Sequence, residues 1–87
     1  MQSPHTDGWW VYVLRSEVDG TTYVGMATNV HARLTEHNEG KARYTSAHRP
    51  YRLIYQEYVG SRRDARQREI YLKSAAGRRF VEQRAPW

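Results

Sequence analysis

Asp19-Gly20 falls between two β-prone runs, and this arrangement constrains the fold more than any other feature of the chain. Trp9 to Leu14 is an apolar run ended by Arg15, and Thr21 to Val24 is a shorter one. Asp-Gly supplies the positive φ angles of a tight reversal, so the two runs read as a single β-hairpin. That hairpin sets Tyr12, in Val11-Tyr12-Val13, against Tyr23, in Tyr23-Val24-Gly25. A phenol half buried in a sheet can stack, donate a hydrogen bond or exchange a proton.

Beyond the hairpin, Thr28 or Asn29 is an N-cap candidate, and residues 29–38 read as a helix stopped by Gly40. Residues 39–50 form a polar, basic loop closed by Pro50, of a length usually reserved for function. A third strand spans residues 52–59, with Leu53, Tyr55 and Glu57 alternating against Ile54, Gln56 and Tyr58. Ser61 followed by Asp64 opens a helix that runs to about Ser74. Gly77 is expected to break it, leaving residues 78–84 as a last helical turn. The order β-β-α-β-α(-α) implies an α/β fold of the α+β type, a three-stranded antiparallel sheet flanked by helices. At 87 residues this is one core, with residues 1–8 a flexible lead-in, 9–84 the domain and 85–87 a tail.

Charge points to a polyanionic partner: the net charge is +5 and the pI about 9.9. Residues 61–87 carry eight Lys/Arg against three Asp/Glu, while residues 1–60 are balanced at six and six. Within the balanced part, Lys41, Arg43, Arg49 and Arg52 form a second basic cluster, so a phosphate backbone could be clamped from two sides. Aromatic residues reach 13%, mostly Tyr and Trp, which stack well and carry a polar tip. The chain has no cysteine, which excludes disulfides and thiolate metal sites and fits a cytoplasmic location. No apolar run approaches the roughly 18 residues of a membrane span, and Met1 to Gly8 lacks a secretory apolar stretch.

On a helix, Val30, Leu34 and His37 share one stripe bordered by Arg33, and Arg33 and His37 stand one turn apart. Together they can bind and polarise a phosphate; alone, such a His is usually a boundary residue bonded to backbone. Ala65, Glu69, Leu72 and Ala76 fall on the inner stripe of the next helix. An inward carboxylate needs a partner. That partner is either a metal ion or a cation such as Arg62 or Lys73 on the same helix. Taken together, two phenols, an Arg/His pair and one inward carboxylate form a small phosphodiester-cleaving kit. No second carboxylate lies nearby in sequence, which disfavours a two-metal site, and no phosphate-cradling Gly-rich loop is present.

The ordered series of motifs resembles the GIY-YIG nuclease domain over residues 9–83. Val11-Tyr12-Val13 stands for the first signature triplet and Tyr23-Val24-Gly25 for the second. Residues 29–34 with His37-Asn38, residues 42–45, Arg49-Pro50, and Arg68-Glu69 with Leu72-Lys73 complete the series. Its size is similar to small bacterial members and to the nuclease part of the excision-repair incision enzyme. The resemblance implies an endonuclease that hydrolyses DNA with one Mg²⁺ or Mn²⁺ ion, and the small area of the domain favours selection by structure, a short motif or single strands over a long sequence. It implies Glu69 as metal ligand, Arg33 as phosphate-stabilising cation, Tyr12 as general base or water-positioning phenol, Tyr23 as its orienter and His37 as proton-transfer aid. Lys41, Arg43, Tyr44, Arg49, Arg62, Arg66 and Lys73 are expected to contact the nucleic acid. Val11 replaces the family's first Gly, and Val81 stands where larger relatives carry an Asn beyond the metal-binding Glu. The alternative function is a nucleic-acid binding module without catalysis. Exposed Trp9, Trp10 or Trp87 are the only support for a third class, a protein-interaction domain.

Overall fold

The computed structural model describes residues 8–41 and 46–85. The expected lead-in over residues 1–7, the stretch with Arg43 and Tyr44, and Trp87 lie outside the described residues. Three antiparallel strands, β1 (Trp9–Ser16), β2 (Thr22–Ala27) and β3 (Tyr51–Gly60), form one sheet in the order β2-β1-β3. β1 is therefore central and covered on both faces, which is why it reads as an unbroken apolar run. Val11 and Val13 face one cluster with Ala65, Leu72 and Val81. Tyr12 and Leu14 face the other, with Ala27, Val30 and Tyr51.

The hairpin turn differs from the tight reversal expected. Ser16 N–H donates to the Thr21 carbonyl at 2.8 Å and Gly20 N–H to the Ser16 carbonyl at 3.0 Å, so residues 17–20 form the loop. Gly20 takes φ 78°, whereas Asp19 has no positive φ. Asp19 instead braces the loop with its side chain, Oδ1 accepting from Thr21 N–H at 3.0 Å. The register pairs Tyr12 with Gly25 and Leu14 with Tyr23, so the two tyrosines are diagonal neighbours rather than opposite.

In β3 the simple alternation fails. Val13 pairs with Tyr55 but Leu14 with Leu53, which leaves Ile54 as the extra residue of a β-bulge. Leu53 consequently packs with Tyr12 and Leu14, while Tyr55 packs on the opposite face with Val11 and Val13.

Helix α1 (Val30–Asn38) is capped by Asn29, whose side chain accepts from Ala32 N–H. It ends in a turn that sends Lys41 N–H to the Glu36 carbonyl and Gly40 N–H to the His37 carbonyl, with Gly40 at φ 78°. Asn38 clamps this end to β3: its amide donates to the Tyr51 carbonyl at 3.1 Å and its oxygen accepts from Tyr51 N–H at 2.6 Å. Asn38 is thereby committed to structure.

Helix α2 (Arg62–Lys73) is capped by Ser61 through Asp64 N–H, and α3 (Ala75–Arg84) by Ser74 through Gly77 N–H. The break thus falls at Ser74, and Gly77 lies inside α3 rather than ending α2. A Cβ on Gly77 would meet the Tyr71 carbonyl oxygen at 2.1 Å and Leu72 Cα at 2.5 Å, so this glycine lets the two helices touch. Ala65, Glu69 and Leu72 are the buried positions of α2, while Ala76 belongs to α3 and is exposed. Arg68 pins α2 to β3, its Nε donating to both Glu57 oxygens at 3.1 and 3.0 Å. Among the described residues no helix is long and apolar enough to cross a membrane.

Candidate active site

A cleft of about 510 Å³ opens along the β2 edge of the sheet, between α1 and α2. Tyr12, Tyr23, Arg33 and Glu69 line it together with Arg62 and Arg66. Trp9, Gly25 and Met26 complete its wall. Four of the five residues expected to be catalytic thus meet in one space.

Tyr12 reaches the cleft because of Gly25. Tyr12 starts from central β1, with edge strand β2 between it and the open side. Gly25 is its direct cross-strand partner, and a Cβ there would sit 2.5 Å from Tyr12 Oη and 2.6 Å from Cζ. The ring occupies the space of the missing side chain. Sequence reasoning placed Gly25 in a motif without giving it this task; an isolated Gly within a strand is the signal for such close approach.

His37 is 0% exposed and lies behind Tyr12 rather than on the cleft wall. The Tyr12 hydroxyl and His37 Nε2 are 3.2 Å apart. The Arg33 guanidinium lies close enough to the phenol to pull its pKa down. A protonated phenol can donate to Nε2 when the neutral ring carries its proton on Nδ1. Burial raises the Tyr12 pKa above the usual phenol value, against the pull of Arg33. Burial, then the Arg33 charge, lowers that of His37. At neutral pH the pair is therefore a protonated phenol facing a neutral imidazole. Tyr23 packs its ring 4.7 Å from His37 and 6.4 Å from Tyr12, which fixes the orientation of both.

Glu69 is buried at 6% exposure, as its place on the inner stripe requires. Arg66 Nη1 donates to its Oε1 at 2.8 Å, and Lys73 Nζ lies 3.5 Å from Oε2. Of the two cationic partners expected from sequence, Lys73 is there, but Arg66 takes the place of Arg62. The Arg62 guanidinium sits instead 5.5 Å from the Trp9 ring centroid. Arg33 is also paired, to Glu36 on its own helix. Lys41 pairs with Glu39 at 3.1 Å, and Arg49 packs against Gly40. Both stand at the C-terminal end of α1 and do not line the cleft. Trp9 and Trp10 are half-buried rather than exposed.

Among the described residues no three His, Cys, Asp or Glu side chains gather as a metal cage. The donor set does fit Mg²⁺, which keeps most of its shell as water and takes one or two carboxylates plus substrate phosphates. Glu69 supplies one hard oxygen ligand beside an open cleft with room for water and phosphate. Binding there requires Arg66 or Lys73 to give way.

The chain matches the family model of the GIY-YIG catalytic domain over residues 8–82. It belongs to this family of nuclease domains, whose substrates are nucleic acids and which typically use divalent metal ions. Its similar proteins are members of the UPF0213 group. One, from Desulfotalea psychrophila, is 43% identical over 77 residues, spanning 84% of this chain and 69% of its own. Another, from Staphylococcus haemolyticus, is 42% identical over 66 residues, 75% of this chain and 79% of its own. The solution NMR structure of a UPF0213 protein from Bacillus halodurans superposes with a TM-score of 0.55 at 30% identity, covering 90% of this chain and 86% of that one.

Proposed function

We propose that the protein is a DNA endonuclease that hydrolyses phosphodiester bonds with one divalent ion, Mg²⁺ or Mn²⁺, held by Glu69. The observation that carries this reading is the convergence of Tyr12, Tyr23, Arg33 and Glu69 on one cleft, with His37 hydrogen-bonded behind Tyr12. Arg33 binds the non-bridging oxygens of the scissile phosphate, and Arg62 and Arg66 hold the flanking backbone. A bound ion supplies charge stabilisation at the phosphate and the leaving oxygen.

The proton path follows from the Tyr12 geometry. Burial raises the Tyr12 pKa, which favours a phenol that rests protonated at neutral pH. Water attacking phosphorus passes its proton to Tyr12 Oη as the phenol proton moves to His37 Nε2, and the bond from phosphorus to the leaving oxygen breaks. Tyr23 keeps Tyr12 and the phosphate aligned. So small a domain has little area for reading a long site, which favours selection by structure or single-strandedness.

A labelled panel of single-stranded, duplex and branched DNA and RNA tests this reading with Mg²⁺ or Mn²⁺ present. Cleavage of at least one DNA form is expected, abolished in Glu69→Gln and reduced about 10²–10⁴-fold in Tyr12→Phe. No cleavage of any form by the wild type defeats the reading. One observation favours the alternative of a non-catalytic binding module: Arg66 and Lys73 between them engage both Glu69 oxygens. On that alternative, binding survives EDTA and is indifferent to Glu69→Gln.

A further inference from the structure

Two cavities meet at Trp9. The catalytic cleft shares Trp9, Met26 and Arg33 with a second cavity of about 340 Å³ that continues past the start of α1. The walls of the second cavity differ in kind. Trp9, Met26, Ala27 and Ala32 make it largely apolar, with Thr28 and Asn29 at its polar side and no carboxylate. Trp9 packs against the core around Val11, and the Arg62 guanidinium lies 5.5 Å from its ring centroid. A half-buried indole fixed in this way is a ready stacking surface, with little left to order on binding. Asn29 Oδ1 is committed to Ala32 N–H at 3.0 Å, which leaves its amide N–H₂ group out of that bond.

Arg33 stands at the boundary of the two cavities. A nucleotide whose phosphate lies on Arg33 carries its base one sugar away, and the largely apolar cavity is the adjoining space. We propose that this second cavity is a nucleobase subsite, in which the base next to the scissile phosphate stacks on Trp9 and against Met26. A base seated there has left the duplex stack, so the substrate is unpaired at that nucleotide. Stacking tolerates any base, because each has a π-face. The inference rests on the proposed phosphate-binding role of Arg33, and its test needs neither metal nor cleavage.

The full chain, isotope-labelled for NMR, is titrated without metal with a nucleoside 5′-monophosphate, deoxyribose 5-phosphate and inorganic phosphate. All three should move the Arg33 side-chain signal. The nucleotide alone should move the Trp9 indole N–H and the Met26 methyl. In parallel, a single-stranded oligonucleotide should bind about tenfold more tightly than a base-free deoxyribose-phosphate chain of equal length, as one stacked base allows. Trp9→Leu should erase most of that preference and Trp9→Phe should keep part of it, so the pair separates stacking from a folding defect. An unmoved Trp9 indole, or equal binding of the base-free chain by the wild type, overturns the proposal. Loss of cleavage with the Trp9 shift intact would sink the nuclease reading alone.

Discussion

One missing Cβ positions the Tyr12 hydroxyl. A methyl at Gly25 would lie 2.5 Å from Tyr12 Oη, so Gly25→Ala must push the phenol off both His37 Nε2 and the cleft. Such overpacking costs about 1–3 kcal/mol, while misplacing a proton-transfer group costs on the order of 10²-fold in rate or more. The variant should therefore remain folded by circular dichroism, with a lowered Tm, and lose nearly all cleavage; full activity would show that Gly25 does not set the Tyr12 position. His37 makes a second prediction. Its pKa is lowered by burial, so the unfolded chain takes up the proton first as pH falls. The stability it contributes is complete above the unfolded value of about 6.5 and declines as pH drops through the depressed folded value. Urea denaturation between pH 7.5 and pH 5 should show this decline in wild type, and His37→Gln should flatten it. The fold brings Tyr12, Tyr23, Arg33 and Glu69 to one cleft; in sequence Arg33 and Glu69 stand out as charges at bordering or inward helix positions, where a partner is needed, and the two phenols stand out through the hairpin and the family resemblance. Gly25 and Trp9 were not legible as site residues. A glycine shows no chemistry of its own, and the role of Trp9 depends on two cavities that only cross-strand and strand-to-helix packing creates. The choice of Arg66 over Arg62 follows helix spacing, since Arg66 stands one turn from Glu69 and Arg62 two turns.

At the scale of elements, Gly77 carries a prediction opposite in sign to helix propensity. Replacing a helical Gly by Ala ordinarily stabilises by up to about 1 kcal/mol. Here the added Cβ would meet backbone atoms of Tyr71 and Leu72 at 2.1 and 2.5 Å, and a backbone neighbour cannot swing aside as a side chain does. Gly77→Ala should force α3 away from α2 and destabilise by about 1–3 kcal/mol, read as a lower urea midpoint. A higher midpoint would show that the two helices do not touch there. The starts of α1 and α2 were plain in sequence because Asn29 and Ser61 each satisfy an N–H three residues on. The α1 stop was plain because Gly40 takes the positive φ of a terminating turn. Two features escaped. Gly77 reads as a breaker because close backbone approach leaves the same letter in the sequence as a helix end. The bulge at Ile54 was invisible because Leu53 and Tyr55 keep perfect spacing while their faces change. Both residues are apolar enough for either face.

Across the whole molecule, the question is which of the positive charges meet the substrate. The excess of Lys/Arg lies in residues 61–87, and two basic stretches closing on a backbone from opposite sides was the simplest expectation. Among the described residues, Arg62 and Arg66 line the cleft with Arg33, while Lys41 and Arg49 sit at the C-terminal end of α1. Each phosphate neutralised releases counterions and steepens the salt dependence by about 0.7 for single strands and about 0.9 for duplex. Three cleft arginines predict a slope of log K against log salt of about −2 for single-stranded DNA. Arg62→Ala or Arg66→Ala should each reduce its magnitude by about 0.7, whereas Lys41→Ala and Arg49→Ala should leave it unchanged. Fluorescence anisotropy with the Glu69→Gln background, which prevents cleavage during the titration, provides the measurement. A slope that responds to Lys41 and Arg49 as strongly as to Arg62 and Arg66 would mean that the substrate extends around α1, and the path of the backbone would have to be redrawn from the cleft across that helix end.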